Sequence, residues 1–220
     1  DKGAVLTKVK ICGLSEVPHA VAAARYGADF LGLVFAPSRR RVTLAKGREI
    51  AEAIRYLPER PLLVGVFVNL PVPEVNQIAD FCRLDWVQLS GDEYCQDINR
   101  PVIKVIHVAP DSTAEQLQSE IEKGCCLPLK HDLICLLDSK SGKTYGGTGR
   151  TFDWQLAKEV SIRYRVIVAG GLTPDNVGRL VREVKPWGVD TASGVESNGR
   201  KDTTKIEAFI RAVREAESRT

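Results

Sequence analysis

Long hydrophobic runs are absent from this sequence of 220 residues. The longest apolar stretches, such as 30–36 and 62–68, extend over about seven residues, whereas a membrane-spanning helix needs roughly 20. We therefore expect no transmembrane helix and no membrane partner.

The sequence also lacks a charge imbalance. It has 31 Lys and Arg residues against 28 Asp and Glu residues, a formal net charge of +3, and the basic residues are interspersed with acidic ones. Because nucleic-acid-binding proteins usually carry a concentrated basic surface, no nucleic-acid partner is expected. The composition, 44% hydrophobic and 27% charged, is that of an ordinary globular protein.

Cysteine is sparse, with six residues in the chain. None shows the Cys-x₂-Cys spacing of a zinc site, and six are too few for the disulfide-rich scaffold of a small secreted domain. We expect a reducing, cytoplasmic environment and no bound metal ion.

Short β-branched runs, each followed by a turn and an amphipathic stretch, recur along the chain, which is typical of βα units that feed a parallel sheet. Strands are predicted at 8–13, 30–35, 62–68, 86–89, 102–107, 133–138, 165–169 and 188–192. Helices are predicted at 17–26, 44–56, 73–82, 113–122, 152–159, 174–183 and 203–217, with a weaker one near 94–99. This number of units in 220 residues approaches the lower size limit of a closed (β/α)₈ TIM barrel.

The alternative α/β architecture is a doubly wound open sheet, which usually carries Gly-x-Gly-x-x-Gly after its first strand. Here the first predicted strand leads into Cys12-Gly13-Leu14-Ser15. Because no linker or low-complexity segment divides the chain, we predict a single (β/α)₈ barrel domain over residues 1–220.

In such a barrel the active site lies at the carboxyl ends of the strands. Gly170 and Gly171 follow the seventh predicted strand, and Ser193 and Gly194 follow the eighth. Glycine-containing loops let backbone N–H groups approach an anion closely, and the loops after strands seven and eight form the usual phosphate site of this fold. These residues predict a phosphate site, although glycines after strands can also be ordinary turn residues.

Two further strand ends carry candidates for acid–base chemistry. Asp138 ends the apolar sixth strand, where burial favours the neutral carboxyl group that a general acid needs; alternatively, it only hydrogen-bonds a loop. Cys12 ends the first strand and is a candidate base or nucleophile if nearby positive charge stabilises its thiolate. Taken alone, a cysteine there is more often a core-packing residue.

Basic residues follow the second and sixth strands. One of Arg39, Arg40 and Arg41 is a candidate ligand for a second anion, such as a carboxylate, although such triplets usually form a solvated edge. A glycine-rich segment at 146–149 is a candidate lid over an anionic ligand. His107, at the end of the fifth strand, is a weaker candidate.

A set of motifs extends in order over nearly the whole chain: Lys10-Ile11-Cys12-Gly13-Leu14, Gly32-Leu33-Val34-Phe35, Val64-Gly65-Val66-Phe67-Val68-Asn69, Val87-Gln88-Leu89, Gly146-Gly147-Thr148-Gly149 with Phe152-Asp153-Trp154, Ala169-Gly170-Gly171-Leu172 and Ser193-Gly194-Val195-Glu196. Together they resemble the phosphoribosylanthranilate isomerase family. The resemblance implies a TIM-barrel enzyme of tryptophan biosynthesis that needs no metal or organic cofactor. It implies a small phosphosugar substrate, N-(5'-phosphoribosyl)anthranilate, converted to 1-(2-carboxyphenylamino)-1-deoxyribulose 5-phosphate by an Amadori rearrangement.

The resemblance also implies residue roles. Cys12 is expected to be the general base and Asp138 the general acid, and Arg40 is expected near the anthranilate carboxylate. Ser90 stands where the family usually shows histidine, which we interpret as altered support around the site. Whether the protein is a monomer or a homodimer stays open.

Two alternative functions are weighed against the isomerase. A related phosphosugar isomerase of histidine biosynthesis performs the same rearrangement, but its family carries aspartate where Cys12 stands. A catalytically silent phosphate-binding barrel is expected to have lost one member of the acid–base pair, and both are present here.

Overall fold

A computed structural model describes residues 6–93, 95–125, 133–139 and 152–218. Within these ranges, eight parallel strands close into a barrel in chain order. They are β1 (Lys8–Cys12), β2 (Phe30–Val34), β3 (Leu62–Phe67), β4 (Trp86–Leu89), β5 (Val102–Val108), β6 (Leu133–Ser139), β7 (Val166–Val168) and β8 (Gly188–Thr191). The barrel closes where β1 pairs with β8, with Lys8 opposite Gly188 and Lys10 opposite Asp190.

The described helices are α1 (Val17–Arg25), α2 (Leu44–Ile54), α3 (Val72–Phe81), α4 (Ala114–Cys125), α5 (Trp154–Ser161), α6 (Val177–Val184) and α7 (Thr203–Ser218). After β8 the chain forms a 3₁₀ turn at Ser193–Val195 and a short antiparallel hairpin, β9 (Glu196–Ser197) and β10 (Arg200–Lys201). In the part of the chain that the structure describes, no helix is long and apolar enough to cross a membrane.

Alternation along each strand divides the core into two layers. Outward-facing residues such as Val9, Ile11 and Leu137 pack in one large cluster with the helices. Inward-facing residues such as Phe30, Val64 and Ile134 form a second cluster inside the barrel. Since successive side chains of a strand point to opposite faces, this pattern fixes which polar residues face into the barrel.

The structure confirms the predicted (β/α)₈ barrel, with a strand at each of the eight predicted positions. The weaker helix near 94–99 is wrong for residues 95–99, which form turns. Asn76 explains the difference, because its side chain donates to the Asp97 carbonyl at 2.8 Å and accepts from the Asn99 N–H at 2.9 Å. Asp97 also adopts a left-handed φ of 62°, which interrupts a helix.

Candidate active site

Cys12 and Asp138 both face into the carboxyl-end mouth of the barrel. Val9 and Ile11 point outward from β1, so Lys10 and Cys12 point inward. Ile134 and Leu136 belong to the inner cluster, and Asp138 continues the same face of β6. The two residues predicted as base and acid therefore face the same barrel mouth.

A buried ion pair lies beside them. Lys10 Nζ donates to Asp190 Oδ1 at 2.8 Å, and the Lys10 side chain is 1% exposed. Burial alone lowers the pKa of Lys10, but Asp190 and Cys12 outweigh that effect, so its pKa lies above the ordinary value. Lys10 is therefore a fixed cation in the barrel mouth.

The Cys12 side chain is protonated in the resting site. Its burial raises the pKa of the thiol above the ordinary value, although Lys10 and Lys201 both act in the opposite direction. The positive charge expected beside Cys12 is thus present, but it does not by itself produce a resting thiolate.

Asp138 titrates close to neutral pH. Burial, followed by repulsion from Asp190, raises its pKa to about 6, against a smaller lowering by its hydrogen bond with Ser139 and by Lys10. At pH 7 roughly one in ten such groups is protonated. The raised pKa of this partly buried carboxyl group is in the direction that favours a general acid.

The predicted phosphate residues border a cavity that Asp138 also lines. It is lined by Asp138, the loop 169–172 and the segment 190–194. Gly170 and Gly171 have left-handed φ values of 89° and 64°. Within the described residues, neither glycine donates its backbone N–H to another protein group. The structure therefore brings Gly170, Gly171, Ser193 and Gly194 together with Asp138 around one cavity.

Gly194 is required by packing as well. A Cβ atom there would lie 1.8 Å from the carbonyl oxygen of Leu172, which also accepts a hydrogen bond from Thr191 Oγ1 at 2.8 Å. Any side chain at 194 would push the two loops apart. A replacement of Gly194 by a bulky acidic residue would thus damage the loops themselves, and it is a poor test of anion binding.

Arg40 is held at the edge of the mouth by Glu196. Arg40 donates from Nε to Glu196 Oε1 at 2.7 Å and from Nη2 to Oε2 at 3.2 Å. Its side chain passes over Gly13, where a Cβ would approach Arg40 Cδ to 2.4 Å. The glycine after β1 therefore gives Arg40 room to lie next to Cys12.

Glu196 forms ion pairs with three cationic side chains. Besides Arg40, it accepts from Arg39 Nη2 at 2.5 Å and from Lys201 Nζ at 2.9 Å. Burial alone raises the pKa of Glu196, but these partners lower it to about 2. The Arg39 side chain is 52% exposed, that of Arg40 is 13% exposed and Arg41 is exposed, so Arg40 is the least exposed member of the triplet.

Several site residues were missed by the sequence analysis. Lys10, Asp190, Glu196 and Lys201 were not given roles, although Lys10 is a charge within an apolar strand and Asp190 lies opposite it in register. For Lys10 and Asp190, the signal available in the sequence was a charged residue on the inward face of a predicted strand. The 146–149 segment lies outside the described residues.

On β5, the strand next to that of Asp138, His107 Nε2 lies 2.8 Å from the carbonyl oxygen of Ser90. His107 is also the register partner of Asp138. Among the described residues, no group of three or more His, Cys, Asp and Glu side chains has the arrangement of a metal site.

Comparison with known proteins points to one family. A family model for N-(5'-phosphoribosyl)anthranilate (PRA) isomerase matches residues 9–212. A protein from Dehalococcoides mccartyi named N-(5'-phosphoribosyl)anthranilate isomerase is 54% identical over 215 residues, which covers 96% of this chain and 98% of that protein.

Solved structures agree. The crystal structure of phosphoribosyl anthranilate isomerase from Thermotoga maritima has a TM-score of 0.81 at 32% identity and covers 96% of this chain and 100% of that one. Monomers generated from the dimeric Thermotoga maritima isomerase give 0.78 at 31% identity with the same coverage. A phosphoribosyl anthranilate isomerase in complex with reduced 1-(o-carboxyphenylamino)-1-deoxyribulose 5-phosphate also gives 0.78 at 31% identity, again covering 96% and 100% of the two chains.

Proposed function

Because the chain belongs to the N-(5'-phosphoribosyl)anthranilate isomerase family, we propose that Cys12 is the general base and Asp138 the general acid of its reaction. The protein is an isomerase of tryptophan biosynthesis that acts on a small molecule. The observation that carries the residue assignment is the placement of both side chains in one barrel mouth, with the Lys10–Asp190 pair acting electrostatically on each.

Asp138 starts the reaction in this proposal. Its proton goes to the furanose ring oxygen as the C1'–O4' bond breaks, and the lone pair of the anilino nitrogen forms a C1'=N bond. A ring-opened iminium ion results, and the ring oxygen leaves as a hydroxyl group. The raised pKa of Asp138, about 6, supports this role because it keeps a protonated fraction available near neutral pH.

Cys12 then removes the C2' proton in its thiolate form. The electron pair of the C2'–H bond forms C1'=C2' and neutralises the iminium nitrogen, which gives an enolamine. Tautomerisation of the enolamine, with a proton added at C1' and the 2'-hydroxyl proton lost, gives the ketose product. Lys10 and Lys201 stabilise the thiolate while it exists, since both lower the pKa of Cys12.

The two anionic ends of the substrate have separate sites in the proposal. Backbone N–H groups of Gly170, Gly171, Ser193 and Gly194 bind the 5'-phosphate, since they border the Asp138 cavity. Arg40 binds the anthranilate carboxylate. Its Nε and Nη2 are oriented by Glu196, and the guanidinium then offers its remaining N–H groups to the ligand.

We propose that the enzyme works in the cytoplasm without a metal or organic cofactor, as a monomer or homodimer. A dimeric relative is known in the Thermotoga maritima isomerase.

The decisive experiment is a direct assay. Purified protein is mixed with freshly formed phosphoribosylanthranilate, and the loss of anthranilate-type fluorescence is followed over time. Turnover by the parent and its loss in both Asp138→Asn and Cys12→Ser support the proposal. A folded parent protein without turnover would instead indicate a silent phosphate-binding barrel.

A further inference from the structure

Gln88 has an unusual position in the barrel mouth. It is the penultimate residue of β4, as Asp138 is of β6, and its side chain is on the inward face between outward-facing Val87 and Leu89. The residue is 6% exposed. Its Nε2 donates to Ser90 Oγ at 3.2 Å, while Oε1 has no hydrogen-bond partner among the described residues.

An unsatisfied amide oxygen in this position is costly to the folded protein, because a buried polar group without a partner loses its hydrogen bonds to water. Among the described residues, the other buried side-chain atoms of this kind belong to Trp154 and Ser161 on α5, outside the barrel. If the amide were rotated, the Nε2 end would lack a partner instead. The side chain therefore keeps one unfilled hydrogen-bonding position in the mouth.

The position of β4 in the barrel limits which ligand group can bind to the unpartnered end of the Gln88 amide. In the ring of eight strands, β4 lies directly across from β8, and the proposed phosphate site is built on the loops after β7 and β8. A substrate that binds there through its phosphate and extends across the mouth passes toward the β4 side, where Gln88 lies. The donors between the two anionic ends of such a molecule are the ribose hydroxyl groups and the anilino N–H, and of these the anilino N–H is the one that gains positive charge when the ring opens.

We propose that Gln88 Oε1 accepts a hydrogen bond from the anilino N–H of the substrate, and that this bond strengthens as ring opening proceeds. The inference rests on the proposed function. When the C1'–O4' bond breaks and Asp138 protonates O4', the nitrogen lone pair becomes the C1'=N bond, and the N–H acquires positive charge. Hydrogen bonds to a charged group are stronger than those between neutral groups, so Gln88 stabilises the iminium more than the substrate.

The test replaces Gln88 by methionine, which has a similar volume and no amide. We expect kcat to fall about 10- to 100-fold, the range of a lost hydrogen bond to a charged group, with KM changed less than kcat. We also expect the melting temperature of the ligand-free variant to be equal to or above that of the parent, because the unpartnered amide is gone. If Gln88 has only a structural role, the variant should instead have lower stability and a normal kcat.

Ser90→Ala is the matched control, because it removes the partner of Nε2 and leaves Oε1 in place. We expect it to retain kcat within about threefold, less than the lower limit for the lost bond. If Gln88→Met does not fold, the parent itself supplies the test: the side-chain amide resonances of Gln88 should shift on binding of the reduced product analogue, which carries a secondary amine.

The outcomes separate this inference from the proposed function. If Asp138→Asn and Cys12→Ser are inactive while folded Gln88→Met turns over normally, the role of Gln88 is overturned and the isomerase assignment stands. An unshifted Gln88 amide signal in the saturated parent also overturns it. A parent without turnover contradicts the proposed function itself.

Discussion

The barrel interior has a lower part, near the amino ends of the strands, and an upper part, near their carboxyl ends, and the two parts have different roles. The lower part is apolar and includes Phe30, Val64, Ile134 and Ile167, with Phe30 and Trp86 in edge-to-face contact at 5.9 Å. The upper part contains the polar and ionisable side chains of Lys10, Cys12, Gln88, Asp138 and Asp190. The lower part stabilises the fold by excluding water, whereas the upper part keeps polar groups buried at a cost in stability.

Two carboxyl groups at the barrel mouth, one on the hairpin after β8 and one inside the barrel, show a related contrast. Glu196 contacts three cations, and its pKa falls to about 2. Asp138 is buried near the Asp190 carboxylate, and its pKa rises to about 6. Glu196 therefore stays ionised and orients Arg40, while Asp138 can exchange a proton near neutral pH. Environment, rather than residue type, separates the positioning carboxylate from the proposed acid.

The largest effect is expected for Asp138→Asn, which removes the acid without changing the shape of the side chain. Turnover should fall at least 10²- to 10⁴-fold, the usual contribution of general acid catalysis. Near-normal kcat would remove Asp138 from its role. Asp153→Asn is the control, because Asp153 caps α5 through its hydrogen bond from the Gln155 N–H at 2.9 Å; an asparagine oxygen accepts the same bond, so we expect turnover and stability to change little.

The same variant has a stability signature with a definite sign. The folded pKa of Asp138 lies above its unfolded value, so ionisation of this group destabilises the fold once the pH rises above about 4, and fully above about 6. Asp138→Asn should therefore be more stable than the parent at pH 8, by up to about 3 kcal/mol, and this gain should vanish near pH 3. Thermal melts at the two pH values measure it.

Cys12→Ser should lose about 10²- to 10³-fold in kcat, since a serine hydroxyl is a much poorer base than a thiolate. The matched control is Cys82→Ser, because Cys82 is also buried but belongs to the outer cluster. We expect the control to keep its kcat. Equal activity of Cys12→Ser and the parent would mean that the thiol only packs.

The pH dependence of kcat/KM should be bell-shaped. Below about pH 6, Asp138 and Cys12 are both protonated and no base is available. Above the raised pKa of the thiol, both are ionised and no acid remains. Between these two pH limits, Asp138 and Cys12 together hold one proton. The active form, with Asp138 protonated and Cys12 ionised, is then a small fraction of the enzyme that does not change with pH.

Asp190→Asn tests which group causes the fall of kcat/KM on the acidic side of the pH profile. Since Asp190 raises the pKa of Asp138, removing its charge should move this fall to lower pH. A fall caused by ionisation of the substrate phosphate would stay in place, and that result would contradict the assignment.

Ser193→Asp should weaken binding of the phosphorylated product analogue by about 10- to 100-fold, because it adds a negative charge beside the proposed phosphate site. Unlike Gly194, Ser193 already carries a Cβ, so the loop packing is retained. The unphosphorylated analogue is the control, and its affinity should change little. Equal affinity of the parent for both analogues would contradict the phosphate site.

The fold was predictable from the sequence because each strand and helix carries its own local pattern. Eight short β-branched runs gave the barrel, and Thr43 shows how far local signals reach, since its Oγ1 accepts from the Lys46 N–H at 3.1 Å where α2 begins. The turn at 95–99 was missed because it depends on Asn76, a residue about twenty positions earlier in the sequence.

For the site, the sequence allowed predictions only for residues at strand ends and for residues that match the motifs of the family. The pairing of Lys10 with Asp190 joins residues 180 positions apart, and the Arg40–Glu196 contact joins residues 156 apart. Such contacts depend on barrel closure and on the path of the chain after β8. The unpartnered oxygen of Gln88 is likewise a property of the packed mouth, which no local pattern reveals.

The smallest effect is expected for Ile134→Val, which compares the two parts of the interior within a single strand. Ile134 lies four residues before Asp138 on the same face of β6 and is 1% exposed. Removing one buried methyl group should lower the free energy of unfolding by about 0.5–1.5 kcal/mol, measured by urea denaturation. Since Ile134 touches no reacting group, kcat/KM should stay within about twofold of the parent, an effect far below the general-acid contribution. A tenfold fall in kcat/KM would instead mean that the lower layer positions the acid, and the division between the two parts of the barrel would fail.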